Sequence, residues 1–133
     1  MKFVKSLLDT PEAKGARVAA NIKVHGDAII SDNGSEFVRN CCDNFSQKIG
    51  NLTKQAILLG LNNESESREE FKARRDSWFV WLGEIDECVK DIDGGETFNP
   101  VQALTAIAWL EAELFGFEET LGETRRSTEI KIQ

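Results

Sequence analysis

The sequence lacks any run of about 18 uncharged apolar residues, which is the length that a membrane-spanning helix needs. Residues 1–9 contain an apolar stretch that is too short and too broken for a secretory signal. These two absences predict a soluble, cytoplasmic protein without a membrane partner.

Cysteine is scarce, and the pattern of its positions excludes its usual structural roles. Cys41 and Cys42 are adjacent, Cys88 stands alone, and no C-x-x-C spacing or flanking histidine accompanies them. An odd number of cysteines without ligand spacing argues against a disulfide framework and against a zinc site. We therefore expect reduced, packed thiols, no metal and no cofactor.

The chain also lacks the motifs of common catalysts, and its charge is of one dominant sign. No glycine-rich phosphate loop follows a strand pattern, and no spacing suggests a Ser-His-Asp or Cys-His arrangement. The net charge is −7, from 23 acidic and 16 basic residues. Nucleic-acid binding is not expected, because it usually rests on neutralising phosphates. An acidic surface suits solubility, a basic protein partner or imitation of a polyanion.

A chain of 133 residues can bury the core of one domain without covalent staples. Helix start and stop signals define four segments. Thr10 before Pro11 and Asn99 before Pro100 are N-cap patterns, Ser67 and Glu70 form a capping box, and glycines follow the expected ends. These signals predict a single helical domain, residues 1–133, with helices at about 11–31, 35–60, 67–93 and 99–121.

Apolar periodicity agrees with these boundaries. The second segment repeats at steps of four and three, and the stripe of the third covers about 80° of arc. Their residues are Val38, Cys42, Phe45, Ile49, Leu52, Ala56 and Leu59, and Phe71, Trp78, Leu82, Ile85, Val89 and Ile92. The first segment is weaker, because residues 18–30 are rich in β-branched side chains and also fit a strand pair that turns at Gly26. We favour a helix.

Short connections make consecutive helices antiparallel, so the pattern predicts an all-α, up-down-up-down four-helix bundle. Residues 1–9 would form a short N-terminal arm. Residues 124–133 alternate polar and apolar at their end, which predicts a frayed or extended C-terminal tail that could add to a sheet edge elsewhere.

An acidic cluster in the third segment raises the question of a metal site. Glu84, Glu87 and Asp91 fall roughly 180° to 240° from Trp78 on the helical wheel, so we expect them to point away from the core. Metal-binding bundles instead project their carboxylates inward. Glu84-x-x-Glu87 supplies half of the paired E-x-x-E and E-x-x-D pattern of all-α nucleotide pyrophosphohydrolases. The following helix has no aspartate three residues after a glutamate.

Two glutamates of the fourth segment, Glu111 and Glu118, fall inside its apolar stripe. A carboxylate there must be paired, protonated or at the wet end of the stripe, because an unpaired buried charge costs several kcal/mol. His25 and Arg74 are the candidate partners. A pair of His25 with Glu111 could transfer a proton, or it could be a structural hydrogen bond, which we favour.

The third segment also carries a candidate surface for a partner. Arg68, Lys72 and Arg75 occupy its first half and the acids its second, against the preference of the helix macrodipole. The segment "SWFVWLGE" has more large apolar residues than one stripe can bury. The candidate partner-binding residues are Phe79, Val80, Trp81, Arg68, Lys72, Arg75, Glu84 and Glu87.

The sequence predicts a small acidic helical protein that acts by non-catalytic protein–protein interaction, as an inhibitor, immunity factor, adaptor or assembly subunit, and that self-associates. One alternative is a metal-dependent nucleotide pyrophosphohydrolase-like enzyme assembled across a dimer, where the acids of two subunits converge. Another is a structural subunit of a larger particle.

Overall fold

The computed structural model describes residues 3–60 and 65–132. It contains four helices: α1 (Pro11–Ile30), α2 (Gly34–Leu58), α3 (Ser65–Asp93) and α4 (Pro100–Ile132). A 3-10 turn, Leu7–Asp9, precedes α1, and the described residues form no strand. Consecutive helices pack against each other, and α4 closes the bundle against α1. The predicted four-helix bundle with an N-terminal arm is confirmed.

The helices start and stop where local chemistry satisfies their end groups. The Thr10 hydroxyl accepts a hydrogen bond from the amide of Ala13 at 3.2 Å. Asn99 Oδ1 accepts from the amides of Val101 and Gln102 at 3.0 and 3.2 Å. Gly95 closes α3 at a φ of +77°, which favours glycine because it has no Cβ. The third helix begins at Ser65, two residues before the predicted start.

Residues 18–30 are helical, as favoured, and not a strand pair. Their apolar stripe is nevertheless thin, because Ile22 remains 41% exposed. Val18 packs against Ala108 and Ala112 of α4, and Asn21 Nδ2 donates to the Ala108 carbonyl at 3.0 Å. Small residues on α4 therefore bring α1 close and replace the bulky contacts of an ordinary stripe.

The core lies around α4, which packs against all three other helices. All predicted stripe residues of α2 and α3 belong to this core, either buried or packed against its buried members. Phe117 of α4 contacts the rings of Phe3, Phe71 and Trp78 at centroid distances of 5.3 to 5.4 Å. A helix that is apolar on most sides is the expected central element of a bundle.

The N-terminal arm lies along a row of α4 residues spaced four apart. The amides of Val4 and Ser6 donate to the hydroxyls of Thr124 and Thr120, at 2.9 and 3.1 Å. At Gly116 a Cβ atom would lie 2.8 Å from Asp9 Oδ1, so only glycine leaves room for the arm. The arm therefore packs specifically on α4 as part of the fold.

The expected end of the fourth helix is corrected by the structure. The sequence predicted a stop at Gly122 and an extended or frayed tail, but α4 continues through Ile132. Glycine inside a helix costs only about 1 kcal/mol, and Gly122 has no positive φ. Thr124 is buried under the arm and Arg125 donates to Gln55 Oε1 of α2 at 3.2 Å, so tertiary contacts hold the first turn beyond Gly122.

Candidate interaction surface

A basic groove runs between the second half of α2 and the first half of α3. Its volume is about 410 Å³. It is lined by Thr53, Ile57, Arg68, Phe71, Lys72, Arg75, Asp76 and Phe79. Three of these residues are cations and one is an acid, so the groove is positive on a chain whose net charge is negative.

Among the side chains that the structure describes, no acid neutralises the three cations of the groove. Within residues 3–60 and 68–127, no carboxylate oxygen lies within 4.0 Å of the charged nitrogens of Arg68, Lys72 or Arg75. The guanidinium of Arg75 lies 5.3 Å from the Phe79 ring centroid and 5.9 Å from that of Phe71. Its Nε is buried without a hydrogen-bond partner in the same part of the chain. Arg75 is therefore oriented by aromatic rings, and no acid among the described side chains pairs with it.

Large apolar side chains lie exposed beside this groove. Phe79 is 46% and Val80 62% exposed, in adjacent positions on α3. Ile57 of α2, which lines the groove on its other side, is also exposed. Apolar anchors next to charged residues are typical of protein interfaces.

The structure divides the candidate partner-binding set between two sides of α3. Trp81 does not join Phe79 and Val80, because its ring stacks on Trp109 at 6.0 Å and its Nε1 donates to Glu113 Oε1 at 3.4 Å. This side chain is half-buried between α3 and α4. Trp81 therefore packs within the bundle, on a different side of α3 from Phe79 and Val80.

The acids of α3 lie on the flank toward α4 and at the surface. Gln102 Nε2 donates to Glu84 Oε2 at 2.5 Å and to Glu87 Oε2 at 2.8 Å. Glu87 is exposed, whereas Glu84 and Asp91 are half-buried. None of the three acids is buried in the core, from which we expected them to point away, but Glu84 and Glu87 both contact Gln102 of α4. Among the described residues no group of three or more His, Cys, Asp or Glu side chains is arranged to hold a metal ion.

The structure brings His25 and Glu111 together, with His25 Nε2 2.7 Å from Glu111 Oε2. The His25 ring also packs against Phe37 of α2 at 5.4 Å. Arg74 does not pair with Glu111 or Glu118, because both of its terminal nitrogens donate to Asp9. The ion-pair partner of Glu118 is Lys48 of α2.

The chemistry around the histidine pair favours a structural role. Cys41 is the nearby nucleophile, but burial and then the charge of Glu111 raise the pKa of its thiol to about 11. A nucleophilic cysteine needs the opposite, a lowered pKa that yields thiolate near neutral pH. The pair joins α1 to α4 beside a protonated thiol.

Sequence reasoning missed the buried ion pair of Asp9 with Arg74 and the Gln102 contact to the acids. The spacing of Gly116, Thr120 and Thr124, four apart, was the available signal for the arm. Such a row of small and hydroxyl residues marks a helix face that a backbone can approach. Gln102 carried no comparable signal.

No helix in the described part of the chain is long and apolar enough to cross a membrane. Comparison of the chain with family models, with curated proteins and with solved structures gives no match.

Proposed function

We propose that this protein acts by binding another protein through the outer face of α3, and not by catalysis. The observation that carries this proposal is the exposed pair Phe79 and Val80 beside three cations that lack an acidic partner in the described residues. Inhibitors, immunity factors, adaptors and assembly subunits act through surfaces of this kind.

Two physical effects would favour binding of a partner protein at this surface: burial of apolar side chains and attraction between charges. Burying Phe79 and Val80 removes apolar surface from water, which drives association. The cations at the groove select the orientation of the partner and speed its approach, because unscreened charges steer association. Arg75 is pre-oriented by Phe71 and Phe79, so less side-chain entropy is lost when it pairs.

The experiment uses a photo-crosslinking amino acid in place of Val80, expressed in the native cell. Val24 is the matched control, because it is a valine that is 70% exposed but lies on α1. Irradiation should give a covalent protein adduct at position 80 and little at position 24. Equal adducts at both positions, or none at position 80, would refute the proposal.

A further inference from the structure

The charges of α3 are arranged in two sets with mirrored spacing. The bases Arg68, Lys72 and Arg75 follow steps of four and three residues. The acids follow steps of three and four residues, and they are Glu84, Glu87 and Asp91. Counted outward from the middle of the helix, each base lies as many residues away in one direction as one of the acids lies in the other.

We propose that α3 pairs with α3 of a second copy of this chain, antiparallel, about a two-fold axis that passes between Phe79 and Val80. This rests on the proposed function and names the partner of that surface. Each base then meets an acid of the second copy, since such an interface uses the same patch twice. The pairs are Arg75 with Glu84, Lys72 with Glu87, and Arg68 with Asp91.

The centre of α3 is shaped for this contact. Asp76, Phe79, Val80 and Gly83 are all exposed. Phe79 of one copy would cover Val80 of the other, which accounts for two large apolar side chains in water. A Cβ at Gly83 would meet nothing within 4 Å, so this position leaves open space where the second backbone approaches.

The geometry of the two charge sets fixes how the helices cross. The bases and the acids are offset by roughly 120° around α3, counting 100° per residue. If the two helices lay strictly antiparallel, the bases of one copy and the acids of the other would lie on opposite edges of the contact. A crossing angle of roughly 50°, the commonest class of helix packing, brings the bases of one copy over the acids of the other. Gln102 holds Glu84 and Glu87 through one oxygen each and so orients both carboxylates.

Charge also explains why such pairing has to be specific. Two chains of net charge −7 repel each other at a distance. Within about 8 Å, where salt no longer screens fully, the local base–acid matches dominate. Association therefore depends on the α3 register and not on overall charge.

The experiment is sedimentation equilibrium of the full chain and four variants, with circular dichroism as the check on folding. Lys72→Glu and Glu87→Lys each replace an attractive pair by a repulsive one at two symmetric places, which should weaken the dimer about tenfold or more. The double variant Lys72→Glu/Glu87→Lys restores opposite charges and should recover the dimer. Lys23→Glu, an exposed change on α1, alters net charge as Lys72→Glu does and should have little effect.

Mixing the two single variants is the most discriminating test, because the new charges of Lys72→Glu and Glu87→Lys are opposite and complement each other across the proposed interface. The mixture should form heterodimers at concentrations at which each weakened variant alone is mostly monomeric. The pairing is refuted by a monomeric wild type up to millimolar concentration, by singles that match Lys23→Glu, or by a double variant that does not recover. A cross-link from position 80 to a different protein would then leave the proposed function standing.

Discussion

Arg74 holds Asp9 through two hydrogen bonds, from Nη1 to Oδ1 at 3.1 Å and from Nη2 to Oδ2 at 2.5 Å. The Asp9 side chain has 0% exposure and that of Arg74 has 14%. The Thr120 hydroxyl donates to the same carboxylate at 2.7 Å. One ion pair thus fixes the arm, α3 and α4 relative to one another.

Replacing Asp9 with asparagine should lower the free energy of unfolding by up to about 3 to 5 kcal/mol, because it removes the closest counterion of the largely buried Arg74 and leaves, among the described side chains, only Glu70, at 3.6 Å. Urea denaturation measures the loss. Asp93→Asn is the matched control, since Asp93 forms an exposed ion pair with Arg39 and should cost less than about 1 kcal/mol. Equal losses in the two variants would show that the buried pair does not hold the arm.

Two glycines that both lie inside helices should respond in opposite directions to replacement by alanine. At Gly50 an added Cβ meets nothing within 4 Å, so Gly50→Ala should stabilise the protein by roughly 0.5 to 1 kcal/mol. At Gly116 the Cβ would lie 2.8 Å from Asp9 Oδ1 and 3.3 Å from the Leu8 carbonyl oxygen, so Gly116→Ala should destabilise it. Thermal melting of both variants measures the difference. A stabilised Gly116→Ala would mean that the arm is not seated on α4.

Much of the fold could be predicted from the sequence because its signals were local. Thr10 and Asn99 cap helices through atoms two or three residues away, and apolar steps such as Ile49 to Leu52 report one helix face. The pairing of Glu111 could also be anticipated, since a carboxylate inside an apolar stripe needs a partner.

What could not be predicted depended on distant parts of the chain. Gly122 signals a stop, but the arm and α2 supply contacts that continue α4 beyond it. Asp9 in a nine-residue arm gives no sign that it will be buried against Arg74, 65 residues away. Trp81 and Phe79 look equivalent in sequence, and only the position of Trp109 decides which one is covered.

The thiols should be unreactive in the folded protein. Burial, followed by neighbouring carboxylates, raises the pKa of Cys41 and of Cys88 to about 11. The folded state therefore favours the protonated thiol. The contribution of these thiols to folding stability is fully present below the pKa of a thiol in the unfolded chain, about 8.5. It is lost as pH rises through the pKa of the folded state, about 11.

Iodoacetamide labelling at pH 8 measures this directly, because only the thiolate reacts. Labelling of the folded chain should be far slower than labelling in urea, and its rate should climb toward pH 11. Equal rates in the folded and unfolded states would contradict the burial of these cysteines.

Divalent cations should leave the melting temperature unchanged. Glu84 and Glu87 are engaged by Gln102, and the described residues offer no metal-binding group. Melting curves with Mg²⁺ or Mn²⁺ are compared with curves in chelator. A bound ion at a hundredfold excess over its Kd would add about 2.7 kcal/mol, so a rise of several degrees would instead favour the metal-dependent hydrolase.

The most direct test of the central claim is the size of the assembly that contains this chain in extract from its native cell, measured by size-exclusion chromatography. Wild type and Val24→Asp should elute in a complex larger than one chain, whereas Val80→Asp should elute as a single chain with unchanged helicity. Elution of Val80→Asp with the wild-type complex, or of wild type as a single chain, would contradict the assignment of the outer face of α3 as the binding surface.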